Sequence, residues 1–386
     1  MRIGVIFGGR SSEHDVSVRS ATSVLSQLDR SRYIPTAIYI DPQGRWVLPS
    51  RHPGALTDAA AREYVREQAR ALRREREVVM PPRPAEQDTL LVFPRSDEAG
   101  AAGEASASAI RSLRLDVVFP VLHGPYGEDA TIQGQYEIAG IPYVGGGVLA
   151  SAVGMDKAVM KTLFRAWGLK TAPFVLVTRP ELDDDRAGVL RRLASEFTYP
   201  VFVKPANLGS SVGIRKVKDA AALEAALDYA AQFDRKVLVE AAVPNAREIE
   251  VAVLGNDAPE ASLPGEIIPA EGCEFYDYAA KYVLDSRLLI PAPLTGDETA
   301  EVRRLAVEAY RAIGVTGLGR VDFLYDRVAQ EWHVSEVNTM PGFTTISMYP
   351  KLWEATGLPY AALLDRLIAL ALERHAARRS LRTSAS

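Results

Sequence analysis

The first forty-one residues constrain the fold more than any other stretch. RIGVIFGG reads as a buried strand, SSEHDVSVRSATSVLSQL as a helix and YIPTAIYID as a second strand. Strand, helix and strand at this spacing predict a parallel α/β sheet. Ser12 is the expected N-cap of the helix, with Asp15 as its capping-box partner. Val18, Ala21, Leu25 and Leu28 form its apolar stripe. Gly8 and Gly9 close the first strand, but they lack the spacing of a dinucleotide fingerprint. A chain of 386 residues exceeds one small core, so two or three domains are expected.

Composition narrows the functional classes. Hydrophobic residues make up 47% and charged residues 24%, the values of a globular protein. A net charge of −4 argues against a nucleic-acid surface as the main business. A single cysteine, Cys273, excludes an internal disulfide framework and fits a reducing cytoplasm. The opening MRIGVIFGGR turns polar too soon for a signal peptide, and no apolar run approaches a membrane span. The five histidines show no metal-ligand spacing.

Residues 52–112 stand apart. AREYVREQARALRRERE predicts an exposed, charge-laced helix, and EAGAAGEASASA is low in complexity. Order resumes with the strand LDVVFPVLHG and the helical pattern after it, and a domain boundary is expected near residue 150. The second part opens with the helix MDKAVMKTLFRAWG. The strands FVLVT, YPVFVKPA and IRKV follow, then a helix, then the strands KVLVEAAV and REIEVAVLG. After a loop-rich stretch come the amphipathic helix ETAEVRRLAVEAYRAIG, a hairpin of GLGRVDFLYD with QEWHVSEVN, and a closing helix.

Several places carry side chains suited to chemistry. A hairpin loop around Asp326–Gln330 sets Asp322 opposite Glu336 and Arg320 opposite Asn338, all on one face. Facing carboxylates repel unless a cation lies between them, and Asp, Glu and Asn oxygens suit Mg²⁺ with phosphate. The competing reading is a surface charge ladder with Arg320 as counter-ion. In VFVKPANLGSSVGIRKV, Lys204 ends an apolar strand, and Gly209, Ser210 and Ser211 form either a phosphate-closing loop or a plain flexible hairpin. Lys157 is a second candidate phosphate cation or a solvated helix lysine. Glu13, at the carboxyl end of the first strand, either favours the helix dipole or binds a ligand ammonium. His123 either shares that cleft or is a satisfied structural histidine. The aromatic run FYDYAAKY lies in a long loop and reads as a lid or as packing aromatics.

Taken in order, GGRSSEHDVS, HGPYGED, MDK, KPANLGSSVGI, REIEVAV, FYDYAAKY, GRVDF and SEVNTMPGFTTIS resemble D-alanine–D-alanine ligases of the ATP-grasp superfamily. The resemblance runs from residue 1 to about residue 372, apart from residues 52–112. It implies an N-terminal open parallel α/β domain (1–150, with a variable insertion over 52–112) followed by a two-lobed ATP-grasp fold. The central lobe would span 151–254 and the C-terminal lobe 255–372, with a polar tail over 373–386.

The implied activity is ATP-dependent ligation of two D-alanines through an acyl phosphate, for peptidoglycan precursors. A D-alanine–D-lactate ligase, or another ATP-grasp carboxylate–amine ligase, is the alternative. By the same resemblance Asp322, Glu336 and Asn338 hold two Mg²⁺ or Mn²⁺ ions, with Glu336 bridging them. Lys157, Lys204 and the loop with Gly209, Ser210 and Ser211 contact phosphates. Glu240 and Val243 lie on the adenine strand, Glu248 binds ribose, and Lys281 meets the γ-phosphate. Glu13 takes the first D-alanine ammonium in a network with Ser210 and Tyr282, and His123 belongs to the same subsite. Arg320 and the Gly342 N–H stabilise the oxyanion, and Ser347 contacts the second carboxylate. ATP and D-alanine are the partners, with no nucleic acid and no membrane, and a homodimer is implied. Ala279-Ala280 and Ala241 depart from the usual family residues in the lid and beside adenine.

Overall fold

The computed structural model describes residues 1–49, 63–64, 75–84, 89–94, 110–269 and 287–382. Three sheets of seven, four and six strands organise them. The first contains β1 (Arg2–Gly8), β2 (Ile34–Ile40), β3 (Trp46–Leu48), β4 (Arg76–Val79), β5 (Leu90–Val92), β6 (Arg111–Leu113) and β7 (Val117–Pro120). Their order is β6-β5-β4-β3-β2-β1-β7. β1 pairs in parallel with β2 and β7, as the strand–helix–strand opening requires. Beyond β2 the pairings are antiparallel, so only the part nearest the site is a parallel sheet.

Strands β4 to β6 went unread in the sequence. Each has only three or four residues, too few to display a period of two. Arg76 and Glu77, the end of the expected charged helix, belong instead to β4, while most of that helix and all of the low-complexity run lie outside the described residues.

The helix His14–Gln27 buries Val18, Ala21 and Leu25 against β1 and β7. Its N-cap is Glu13, not Ser12, and no side chain caps it. Ser11 Oγ accepts the Glu13 N–H at 3.1 Å, and the Glu13 carboxylate accepts from Ser210 Oγ instead of capping. At the end of β1, Gly8 has φ +94°, and a Cβ there would meet Ile40 O at 2.2 Å, so only glycine lets the chain pass.

The second sheet is antiparallel: β8 (Phe174–Thr178), β9 (Val201–Pro205), β10 (Arg215–Val217) and β11 (Lys236–Ala241), ordered β10-β9-β11-β8. Helices Arg186–Glu196 and Leu223–Ala230 close its core. The third contains β12 (Ala246–Gly255), β13 (Glu260–Ala261), β14 (Gly265–Ile268), β15 (Arg287–Leu289), β16 (Gly317–Asp326) and β17 (Glu331–Asn338). It runs β15-β14-β12-β16-β17, with β13 on β12, and packs on the helix Gly296–Ala312. That helix starts with a capping box between Thr295 and Glu298.

The lobes divide differently from expectation. Residues 246–254 form most of β12, which pairs along its whole length with β16 and so belongs to the third sheet. Helices Val148–Met155 and Lys157–Ala166 give Ala150, Val153, Met160 and Phe164 to that sheet's core, and the boundary expected near 150 falls inside the first of them. The polar tail expected from 373 is helix as far as Arg379. Its Arg374 is half-buried there and donates to Tyr143 O (2.7 Å), Thr316 Oγ1 (2.9 Å) and Gly145 O. Among the described residues no single helix is long and apolar enough to cross a membrane.

Candidate active site

Strands β16 and β17 pair Asp322 with Glu336 and Arg320 with Asn338, the expected register. A bulge follows Asp322, so Phe323 faces Val334, but the polar pairs precede it and keep their places. On the other side of β16, Glu250 of β12 faces Asp322. Glu250, Asp322 and Glu336 therefore form one row across three strands, because directly paired residues share a face. Arg320 lies among them. Its Nε and Nη2 donate to Asp322 Oδ1 and Oδ2, each at 2.7 Å, and its Nε is 3.0 Å from Glu250 Oε2. Asn338 Nδ2 adds a donor to Asp322 Oδ2 at 2.9 Å. Burial works against the guanidinium charge, but Asp322 and then Glu250 outweigh it and raise its pKa well above the ordinary value.

The opposite wall is cationic. Lys157 opens its helix, where the Asp156 side chain accepts from the N–H groups of Ala158 and Val159. The Lys157 ammonium donates to Leu208 O at 2.5 Å and lies 3.8 Å from Glu336 Oε2. Behind it, Glu240 on β11 is held between Lys204 of β9 (2.8 Å) and Lys161 (3.2 Å). The side chains of Glu240 and Lys161 are 3% and 1% exposed. Burial would raise the Glu240 pKa, but the two lysines prevail and hold it below the ordinary carboxylate value. Burial lowers the pKa of Lys161. The loop after β9 turns through left-handed residues at Ser210 (φ 51°), Ser211 (φ 57°) and Gly213 (φ 78°). From there the Ser210 hydroxyl donates to Glu13 Oε1, joining the second sheet's loop to the first sheet.

The third wall is the carboxyl end of β1 and β7. Glu13 is 8% exposed and His123 is 4% exposed. His123 Nδ1 meets Met340 O at 3.0 Å and Nε2 meets Ser20 Oγ at 3.0 Å. A carbonyl accepts only, so Nδ1 carries the proton, and burial lowers the ring's pKa. Glu128 accepts the Gly124 N–H at 3.0 Å. Burial, and then the nearby Glu13 charge, push its carboxyl up to about 8.

One cavity of about 590 Å³ collects these walls. Glu13, His123, Lys157, Gly209, Ser210, Arg320, Glu336, Asn338, Gly342 and Ser347 all line it. A Cβ on Gly342 would come 2.8 Å from Ser347 Oγ, so glycine lets the two approach. Lys204, Ser211, Asp322, Glu240, Val243 and Glu248 do not line it. Asp322 reaches its edge through Arg320, Lys204 is paired with Glu240 behind the wall, and Glu248 precedes Glu250 on the same face of β12. Lys281, Tyr282 and the Ala279-Ala280 departure lie outside the described residues.

Glu128, Glu250 and Lys161 escaped the sequence reading. Glu250 had a signal, a carboxylate between the apolar Ile249 and Val251, and Lys161 had another, four residues after Lys157 on the face of Met160 and Phe164. Among the described residues no cluster of three His, Cys, Asp or Glu is arranged to hold a metal. The donors at hand are two carboxylates and an amide, a hard-oxygen set suited to Mg²⁺ in chemistry, with Asp322 now occupied by Arg320.

Comparison with known proteins gives a consistent result. Residues 2–146 match the family model for the D-ala D-ala ligase N-terminus and residues 163–369 that for the C-terminus. The D-alanine–D-alanine ligase of Heliobacterium modesticaldum is 48% identical, covering 97% of this chain and 95% of its own. That of Streptomyces coelicolor is 47% identical over 97% and 93%. Among solved structures, the D-alanine–D-alanine ligase of Coxiella burnetii superposes with a TM-score of 0.81 at 33% identity, covering 98% of this chain and 96% of that one. The VanG D-Ala:D-Ser ligase of Enterococcus faecalis also scores 0.81 at 33% identity, over 96% and 99%.

Proposed function

Because this chain belongs to the D-alanine–D-alanine ligase family, with the ATP-grasp fold of that family, we infer that its cavity joins two D-alanines at the expense of ATP. The product, D-alanyl-D-alanine, is a peptidoglycan precursor. The Ser210–Glu13 contact supports this best, because it brings a glycine/serine loop suited to phosphate against a carboxylate suited to an amino-acid ammonium.

A carboxylate resists attack by an amine, so it must first be activated. The first D-alanine is held by Glu13 on its ammonium, and its carboxylate attacks the γ-phosphorus of ATP, giving ADP and an acyl phosphate. Lys157 and Lys204 neutralise phosphate oxygens as point charges, and Glu240 holds Lys204 in line. Asp322, Glu336 and Asn338 would hold Mg²⁺ or Mn²⁺, which when bound offsets the polyphosphate charge. The second D-alanine, its carboxylate near Ser347, attacks the acyl carbon through a neutral amine. Arg320 and the Gly342 N–H face the oxyanion that develops, a role worth about 10²–10³ in rate for one donor. Phosphate then leaves. Glu248 and the segment from Glu240 to Val243 serve the nucleoside; the Glu240 carboxylate is committed to its lysines, so base contacts there fall to the backbone. Lys281 and Tyr282 complete the γ-phosphate and first-substrate contacts, and the enzyme works in the cytoplasm as a homodimer.

Product analysis tests the assignment. With ATP, Mg²⁺ and D-alanine, phosphate release should match D-alanyl-D-alanine formed. In competition at pH 7 with D-lactate and D-serine, D-alanyl-D-alanine should dominate. Dominance of D-alanyl-D-lactate or D-alanyl-D-serine would move the chain to another second substrate, and no release with any D-amino acid would end the ligase reading.

A further inference from the structure

Asp322 has two claims on it. Its oxygens are filled by Arg320 and Asn338, yet the proposed cation site needs them. Arg320 is half-buried, and a guanidinium there that lost its hydrogen-bonded carboxylate would need another anion beside it. Asp322 can turn to a cation only if Arg320 keeps another anion. Glu250 is the group in place for that. It stands directly across from Asp322 on β12, its side chain is 7% exposed, and its Oε2 lies 3.0 Å from Arg320 Nε. The Nε–H hydrogen bond itself goes to Asp322, so Glu250 now meets the guanidinium as charge and is positioned to take over that donor.

We propose that Glu250 is a positioning residue that retains Arg320 when Asp322 turns to the divalent cation, so that cation binding does not displace the guanidinium from the reacting carbonyl. The inference rests on the reading of Asp322, Glu336 and Asn338 as the cation site. Glu250 acts through Arg320 and is not itself a cation ligand. Without its charge, Arg320 leans more heavily on Asp322 and competes with the metal for it. Loss of a partner that orients a metal ligand typically lowers metal affinity about 10–100-fold.

The test uses the full chain with ADP and titrates Mn²⁺ by electron spin resonance, so no turnover is needed. Glu250→Gln keeps the shape and removes the charge, and should weaken Mn²⁺ binding about tenfold or more. Glu250→Asp keeps the charge and should restore most of it. The deciding variant is Arg320→Gln, in whose background Glu250→Gln should have no further effect on Mn²⁺. Binding by Glu250→Gln within twofold of the parent overturns the proposal. So does an equal penalty in the Arg320→Gln background, since Glu250 would then act on the cation directly. Thermal melts separate folding from binding: a Glu250→Gln chain that melts early yet binds Mn²⁺ like the parent shows a structural role only and overturns the proposal. If Glu336→Gln leaves Mn²⁺ affinity unchanged, the cation-site reading itself fails, a result distinct from failure of Glu250 alone.

Discussion

Two charged clusters, one on the cavity wall and one behind it, are built on opposite plans. In the Lys161–Glu240–Lys204 cluster one carboxylate is held between two ammonium groups, with Glu240 and Lys161 almost sealed from water. In the Glu250–Asp322–Glu336 row three carboxylates share one guanidinium, with Lys157 3.8 Å from the last. The first cluster is closed and internally matched. Its function is mechanical: it fixes where the Lys204 ammonium points. The second is open, because Glu250, Arg320 and Glu336 line the cavity. Its hard-oxygen donors make it the wall on which the proposed cation would sit.

The contrast breaks most decisively at Glu336. Glu336→Gln removes charge without size and should cost more than about 10³-fold in D-alanine-dependent ATP turnover, beyond the loss of one oxyanion donor. Circular dichroism should remain that of the parent. Substantial turnover at saturating Mg²⁺ would make the two clusters alike.

Next in size is Lys161→Met in the closed cluster. Removing one charged partner of the buried Glu240 should cost about 1–3 kcal/mol, seen as a lower urea midpoint. The Mg²⁺ dependence of turnover should not move. A shifted Mg²⁺ half-saturation would mean the clusters communicate and the division of labour is wrong.

Smaller still is the link between lobes. Ser210→Ala removes the donor to Glu13, and amide exchange over residues 207–213 should quicken roughly tenfold without ligand, the loss of a hydrogen bond to a charged group. ATP, Mg²⁺ and D-alanine should slow that exchange again, because an acyl phosphate must be kept from water. Unchanged exchange in the variant would show that the loop is held by its own backbone.

The last test is a pH profile at Glu128. Its carboxyl is raised from the ordinary 4.5 to about 8 by burial and by Glu13, so the folded chain holds a proton there that the unfolded chain releases. Stability from this group is complete below about 4.5 and is lost as pH rises through about 8. The melting temperature of Glu128→Gln should therefore fall less than the parent's between pH 5 and pH 8. Parallel falls would remove Glu128 as the source.

The acidic row was half legible in the sequence. Asp322, Glu336, Arg320 and Asn338 lie on two adjacent strands joined by a short turn, so period two and one hairpin suffice to bring them together. Glu250 comes from a strand distant in sequence, and nothing local says that β12 pairs with β16. The closed cluster was hidden for the same reason: Lys161 is on a helix, Lys204 and Glu240 are on neighbouring strands, and only tertiary packing joins them. Glu13 was found for its place beyond β1, but the helix starts one residue later than the Ser12 cap implies, with Glu13 as an N-cap that makes no side-chain cap bond. The lobe boundaries failed because β12 reads like the strands before it and pairs with those after it.

The helix Tyr360–Arg379 packs Leu363, Leu364, Leu367 and Ile368 into the same core as Ile3, Val5 and Phe7. Strands β1 and β7 thus wait for a helix made hundreds of residues later. At about 5–20 residues per second the wait lasts many seconds, during which the nascent sheet shows an apolar face. A chain ending before residue 360 lacks Leu363, Leu364, Leu367 and Ile368 from that core, so such chains should be cleaved by proteases faster than the full chain.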